Sequence, residues 1–480
     1  MHHRLFIGHQ HEIIQNAPHT IMMNIILIST YELGHQPFGL ASPAAWLRRA
    51  GAHVICLDLA VDALLPEVIT DAALIAFYLP MHTATRLALD VIQQVRTLNP
   101  QSHVCAYGLY APLNAALLYS LGVQTLIGGE FEAALVALYE SIREDQASRR
   151  AAQTTARSAF QNRHASFTIV EKLDFIPPDR SDLLPLERYA ALDMGTGERR
   201  LVGYTEASRG CKHHCRHCPI VPIYNGRFRI VARDIVLADI RQQVAAGAKH
   251  ISFGDPDFFN GPGHAIPLVQ ALHAEHPQLS YDVIIKIEHV LKHADLLPIL
   301  HDTGCLFVTS AVESSDDYVL RILDKDHSRE DFVYAAALMR QLGLQLSPTF
   351  VSFTPWTTRA AYCDLLALIA ELDLVEHVAP IQYAIRLLIP EGSKLLELEE
   401  TQAIIRPFDR QALCYPWQHP DSGMDALYEQ LRGVVVQRGL SRREIFAQVW
   451  QLAHQNEPLP AGLFDQASKP IPHLSEPWYC

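Results

Sequence analysis

Three of the chain's nine cysteines fall within eight residues, in the run Ser208-Arg209-Gly210-Cys211-Lys212-His213-His214-Cys215-Arg216-His217-Cys218-Pro219. The spacing Cys-x3-Cys-x2-Cys puts three thiolates on one short irregular turn, where they can hold one face of a metal centre. Two kinds of centre are open to such a set. A structural zinc takes four closed ligands, commonly from CxxC pairs. No second cysteine pair follows here, so His213, His214 or His217 would have to supply the fourth ligand. A cubane 4Fe–4S cluster has four irons, so three thiolates leave one iron without a protein ligand, and a chelating substrate can take that corner.

The run resembles the signature of the radical S-adenosylmethionine (radical SAM) superfamily. The resemblance implies that the methionyl amine and carboxylate of S-adenosylmethionine (SAM) bind the open iron. The reduced cluster then breaks the sulfonium C–S bond and releases a 5′-deoxyadenosyl radical. It also implies an external one-electron reductant of flavodoxin or ferredoxin type, and a small-molecule substrate. In that superfamily the residue before the third cysteine is usually aromatic and lies against the adenine; His217 stands in its place.

The rest of the composition narrows the setting. At 480 residues the chain has room for two or three domains. A net charge of −13 argues against a broad electrostatic footprint for DNA or RNA, although a local pocket is still open to a macromolecule. An odd, clustered set of cysteines fits a reducing compartment and metal ligation better than a disulfide framework. The opening Met1–Thr20 is polar and His-rich, unlike a signal peptide. No run approaches the 18 consecutive apolar residues of a membrane span. A cytoplasmic protein is expected. Met22 and Met23 directly precede the first apolar run, so residues 1–21 are expected to be a disordered extension or an upstream mis-start.

Strand-like apolar runs at Asn24–Ser29, His53–Leu57, Ala73–Tyr78, His103–Tyr107 and Gln124–Ile127 alternate with helical stretches. This predicts an α/β fold, a doubly wound Rossmann-like parallel sheet of about five strands over residues 22–145. No GxGxxG follows the first strand, which argues against a dinucleotide. Placed upstream of such a cysteine motif, the sheet resembles the cobalamin-binding domain of one radical SAM subclass. The resemblance implies that Gly128 and Gly129, in Ile127-Gly128-Gly129-Glu130, let the backbone approach a bulky flat ligand. The Asp-x-His-x-x-Gly motif that gives an imidazole to cobalt in many cobalamin domains is absent, and His35 lies in the right region but a different context. A degenerate sheet that docks on the catalytic domain or binds substrate is the alternative.

Residues 146–200 read as linker. From Leu201 to about residue 400 the alternation restarts, with strands predicted at Leu201–Glu206, Lys249–Phe253, Tyr281–Ile285, Cys305–Thr309, Gln345–Val351 and Ile381–Arg386. Six β/α units match the partial (β/α)6 TIM-like barrel that the superfamily resemblance implies, with its site at the carboxyl ends of the strands. There, Gly254, Asp255 and Asp257 stand where the family's Gly-Gly-Glu element meets the methionyl amine, or they form an Asp-Pro turn. Lys286 would meet the cofactor carboxylate or a substrate acid, or be a plain surface lysine. Ser310 and Glu313, in Ser310-Ala311-Val312-Glu313-Ser314, resemble the Glu-Ser element that reaches the SAM ribose and amine, while Ser314 or Ser315 would cap the next helix. Cys305, Cys363 and Cys414 read as buried small residues.

Residues 401–480 are expected to form a helical region and a tail. The ending Glu476-Pro477-Trp478-Tyr479-Cys480 resembles the tail of a CUAEP/CCAEP-type radical SAM (seleno)protein group, which implies a chain continuing past Cys480 with a second cysteine or a selenocysteine. Together these features predict a radical SAM enzyme that cleaves SAM at a 4Fe–4S cluster and, with cobalamin, transfers a methyl group or remodels a carbon skeleton. The rival expectation is a corrinoid- or zinc-holding module without radical catalysis.

Overall fold

The computed structural model describes residues 23–152, 165–460, 463–464 and 470–476. The expected extension at residues 1–21 and the Trp-Tyr-Cys ending lie outside them. The first sheet contains β1 (Asn24–Ser29), β2 (His53–Asp58), β3 (Ala72–Tyr78), β4 (His103–Tyr107), β5 (Thr125–Gly129) and β6 (Ala165–Ile169), in the order β2-β1-β3-β4-β5-β6. Every pairing is parallel.

Strand alternation explains the two layers that cover this sheet. Along β1, Ile25 and Leu27 join one apolar core with the helices Phe38–Arg49 and Glu132–Ala152, while Ile26 and Ile28 join a second core with the helix His82–Leu98. A strand buried on both faces reads as a continuous apolar run, and NIILIS does so. The chain leaves β1 toward β2 and returns across it to β3. This places a topological switch point, where doubly wound sheets take ligands, at the carboxyl ends of β1 and β3.

The stretch expected to be linker carries structure. Residues 165–169 supply β6, and β7 (Ala191–Asp193) runs antiparallel beside β8 (Arg199–Thr205). A short hairpin of β9 (Ser208–Gly210) and β10 (Phe228–Ile230) brackets the cysteine run.

The second large sheet has β11 (His250–Phe253), β12 (Ser280–Ile284), β13 (Cys305–Glu313) and β14 (Gln345–Phe350), in the order β14-β13-β12-β11-β8-β7. The antiparallel β15 (His473–Leu474) closes its far edge. Strands β8, β11, β12, β13 and β14 are mutually parallel, with helices between them, and form an open half barrel. The sixth strand predicted at Ile381–Arg386 is not formed. A 3-10 turn, Pro380–Ala384, takes its place and leaves a single parallel bridge between Phe353 and Arg386. Pro380 opens that turn at its first position, where a missing N–H costs nothing. No helix among the described residues is long and apolar enough to cross a membrane.

Candidate functional site

The cysteine turn follows β9 at the carboxyl end of β8. Cys215 is buried, Cys211 and Cys218 are half-buried, and all three are free. Burial, reinforced by neighbouring Cys215, pushes the Cys218 thiol up to about 12, and burial also raises Cys211. A buried thiolate therefore needs a cation to sustain it. Three such sulfurs on one turn suit a soft metal centre, and the buried Lys325 adds its own positive charge toward Cys215 and Cys218.

Buried struts hold this turn. Asp255, at the end of β11, accepts from the Ala207 N–H at 2.9 Å and the Ser208 hydroxyl at 2.5 Å. Burial pushes its carboxyl up to about 7. The side-chain oxygen of Asn260 accepts from the Lys212 N–H at 3.1 Å. Arg216 donates to the carbonyls of Arg321 and Ile322 and so caps the end of the helix Asp317–Leu323. Arg209, two residues before Cys211, reaches the first sheet: its guanidinium meets Glu132 at 2.7 Å, Glu130 at 3.1 Å and Glu206 at 2.6 Å. The rings of Phe38, Phe131 and Phe175 lie around it at 4.9–5.5 Å.

Two further groups sit beside the turn. Glu313, at the end of β13, has a left-handed backbone (φ 68°) where the register with β14 shifts. Its carboxylate lies 3.1 Å from His217 Nε2 and 3.3 Å from Lys325 Nζ. Against the opposing pull of burial, Lys325 and His217 hold it at about 2, so it stays ionised. A strained backbone held in place around a buried charge is a common mark of a working site. The buried Lys286, just past β12, lies 3.8 Å from Glu288 and 3.7 Å from Asp326, and its Nζ makes no hydrogen bond. Asp257 faces His289 Nδ1 at 2.7 Å and His213 Nε2 at 3.4 Å.

Residues 205–355 match the Radical SAM superfamily. The chain carries a radical SAM domain. Among curated proteins, this chain is 23% identical over 215 residues to a tRNA-2-methylthio-N(6)-dimethylallyladenosine synthase of Chlorobium chlorochromatii, covering 40% of this chain and 44% of that one. It is 22% identical over 207 residues to an uncharacterized methyltransferase of Pyrococcus horikoshii, covering 43% of each. The chain thus spans about half the length of the curated relatives it matches. Among solved structures, the fold is similar to the cobalamin-dependent SAM radical enzyme OxsB with aqua-cobalamin bound. That superposition has a TM-score of 0.65 at 13% identity and covers 90% of this chain and 72% of that one. The fold is also similar to the radical SAM methyltransferase TsrM from Kitasatospora setae, with a TM-score of 0.62 at 15% identity over 90% and 95% of the two chains.

Within the radical SAM domain, several expected contacts are taken up by the protein itself. Asp255 is spent on the cysteine turn, and Asp257 caps the turn Phe258–Asn260 while facing two histidines. A Cβ on Gly254 would lie 1.9 Å from the Tyr204 hydroxyl, so this glycine makes room for Tyr204. Ser310 is fully buried and shares the strand face of Val308, which packs in the helix-covered core. The cap of the helix Asp317–Leu323 is Asp316, whose side chain accepts from the Tyr318 N–H; Ser314 supports it from behind. In the first sheet, a Cβ on Gly128 would meet Pro112 at 2.7 Å. One on Gly129 (φ 74°) would meet the Ile169 carbonyl at 2.0 Å. Both glycines are therefore required by neighbouring protein. His35 stacks on Tyr204 with ring centroids 4.7 Å apart, and burial lowers it to about 4. Sequence reasoning passed over Arg209, Lys325 and His289, and weighed His213 only as a fourth zinc ligand, because nothing in local spacing marks residues that act through tertiary contacts.

Proposed function

We propose that this chain binds a 4Fe–4S cluster through Cys211, Cys215 and Cys218 and cleaves SAM reductively, starting radical chemistry on a small molecule. The observation that carries this reading is the cysteine turn itself: three free thiols at the carboxyl-end mouth of the half barrel, strutted by Asp255, Asn260, Arg209 and Arg216. When bound, the cluster supplies the electron that breaks the sulfonium bond of SAM, replenished by an external one-electron reductant of flavodoxin or ferredoxin type.

The protein's own residues bind and orient the cofactor. Lys286, buried with an Nζ that makes no hydrogen bond, would take the methionyl carboxylate. Glu313, kept ionised by Lys325 and His217, is suited to accept two hydrogen bonds from a ribose diol. His217 lies between that carboxylate and the third cysteine and would flank the adenine. With Asp255 and Asp257 engaged, the methionyl ammonium falls to the backbone beyond β11. The first sheet would take a cobalamin, as the similar folds of OxsB and TsrM do, with methyl transfer as the outcome. The free thiols suit the reducing cytoplasm that such a cluster requires.

The test is anaerobic reconstitution of the full chain with iron and sulfide, then SAM and dithionite. A brown protein that forms 5′-deoxyadenosine, with a Cys215→Ala variant that forms none, supports the assignment. Wild-type rates in the Cys215→Ala variant would end it.

A further inference from the structure

A second group of metal-type donors lies beside the cysteine turn. His213 comes from the turn itself, Asp257 from the loop after β11, and His289 from the helix Ile287–Lys292 after β12. One donor atom of each lies within 4.8 Å of the other two. Asp257 is fully buried, and the side chains of His289 and His213 are 7% and 10% exposed.

The contacts among these atoms are close, at ion-pair distance, without the alignment of regular hydrogen bonds. Asp257 Oδ2 is 2.7 Å from His289 Nδ1 and 3.4 Å from His213 Nε2. All three atoms are buried without a well-aligned hydrogen-bond partner. Buried polar atoms are almost always satisfied, so three orphans aimed at one another call for a shared partner. Net charge favours a cation in that role. Asp257, Glu288 and Asp326 surround His213, and Lys286 is the positive side chain paired with them.

We propose that His213, Asp257 and His289 form a second metal site, distinct from the three cysteines, for a divalent first-row ion with zinc-like preferences. Two imidazoles and a carboxylate are a familiar set for such ions, leaving at least one position open. Bonds of roughly 2.0–2.2 Å put donors around one ion about 3–3.5 Å apart. The His213–Asp257 pair already has that spacing, and the His289–Asp257 pair opens by a few tenths of an ångström on binding. The remaining oxygen of Asp257 accepts from the Phe259 N–H at 3.0 Å, which fixes the carboxylate's orientation as outer support. The ion would pin the middle of the cysteine turn to the ends of β11 and β12.

The experiment uses the full chain, purified anaerobically with its cluster reconstituted, given zinc and then gel-filtered. Iron and zinc are counted by mass spectrometry. The expected result is about one zinc per chain in addition to the cluster iron. Asp257→Asn and His289→Gln should each weaken zinc retention at least about tenfold while iron content and the visible absorbance persist. His289→Gln, a neutral change on the helix Ile287–Lys292, keeps the test open if Asp257→Asn fails to fold. Iron without retained zinc overturns this proposal and leaves the proposed function standing, as does zinc retained equally by both variants. Zinc lost only on replacing Cys211, Cys215 and Cys218, in a protein that takes up no iron, overturns the cluster assignment as well.

Discussion

Replacing Arg209 with Met tests how the two sheets are joined at the cysteine turn. The guanidinium is 7% exposed and serves Glu130 and Glu132, both fully buried, and Glu206. Removing one partner from a buried ion pair costs about 3–5 kcal/mol, because the other charge stays behind in a poorly solvating place. Here a single cation answers three carboxylates, so a loss near the upper end, about 5 kcal/mol, is expected at pH 7.5. That matches the lower bound of about 5–15 kcal/mol for a whole domain, so the variant should be markedly labile.

The pH dependence gives the sharper reading. In the wild type, burial already raises Glu130 and Glu206, while Arg209 keeps Glu132 below its ordinary value despite burial. Without Arg209 all three should rise. A carboxyl raised in the folded state binds protons on folding, so its penalty is absent below its unfolded value and grows as pH climbs toward the folded one. The Arg209→Met deficit should therefore be largest at pH 7.5 and shrink toward pH 5.5. Adding Glu132→Gln should recover part of the loss at pH 7.5, since the two residues touch and their effects do not add. Apparent urea midpoints by tryptophan fluorescence, with bound iron measured in parallel, provide the assay. An unchanged midpoint, or a deficit that deepens on acidification, would refute the reasoning.

Ala at Cys211, Cys215 or Cys218 should each remove most bound iron and abolish 5′-deoxyadenosine formation, read by iron assay and chromatography. Gly129→Ala should destabilise the first sheet by about 1–3 kcal/mol, through a clash with the Ile169 carbonyl and a strained backbone at φ 74°. It should do so whether or not a corrinoid is present, as thermal melts with and without hydroxocobalamin would reveal. The full chain incubated with hydroxocobalamin should retain corrinoid through gel filtration; a colourless protein with full turnover would make the first sheet a docking module. Asp255, raised by burial to about 7 from an ordinary 3.8, makes folding less favourable as pH rises between those values. Asp255→Asn should flatten that slope in urea midpoints taken from pH 5 to pH 8.

The strands buried on both faces were the most legible part of the fold, since a run such as Asn24–Ser29 has no other comfortable home. Strand β6 was read as linker because its middle residues Ser166, Phe167 and Thr168 are exposed, giving it neither a buried run nor alternation. The three-residue β7 is too short for any pattern to register. Ser310 is a different case. Its parity with Val308 places it on the core side, whereas the register shift before Glu313 breaks that alternation and hides the face Glu313 takes. Asp255 and Gly254 carried the right motif position but serve Ser208 and Tyr204, and that division of labour is visible only once the chain is folded. The same holds for Lys325, which lies twelve residues beyond Glu313 and meets it across a helix.

These tertiary contacts share a cause, and it bears on how the turn works. A loop of this kind must present three sulfurs in fixed positions while its own backbone has almost no regular structure. Short irregular segments lose their definition unless side chains from elsewhere supply it. Here the support comes from the first sheet through Arg209, from β11 through Asp255, from the turn after it through Asn260, and from the helix after β13 through Arg216. Residues at motif positions are therefore recruited as scaffolding. The groups left over for a cofactor are those the turn does not engage, and Lys286, which pairs with Glu288 and Asp326 without a hydrogen bond, is the one proposed for that role. The first sheet is consequently part of the cluster site's foundation, whatever else it binds, because Glu130 and Glu132 at the end of β5 reach the turn directly. Separating the two sheets by truncation should cost iron binding even where every cysteine remains.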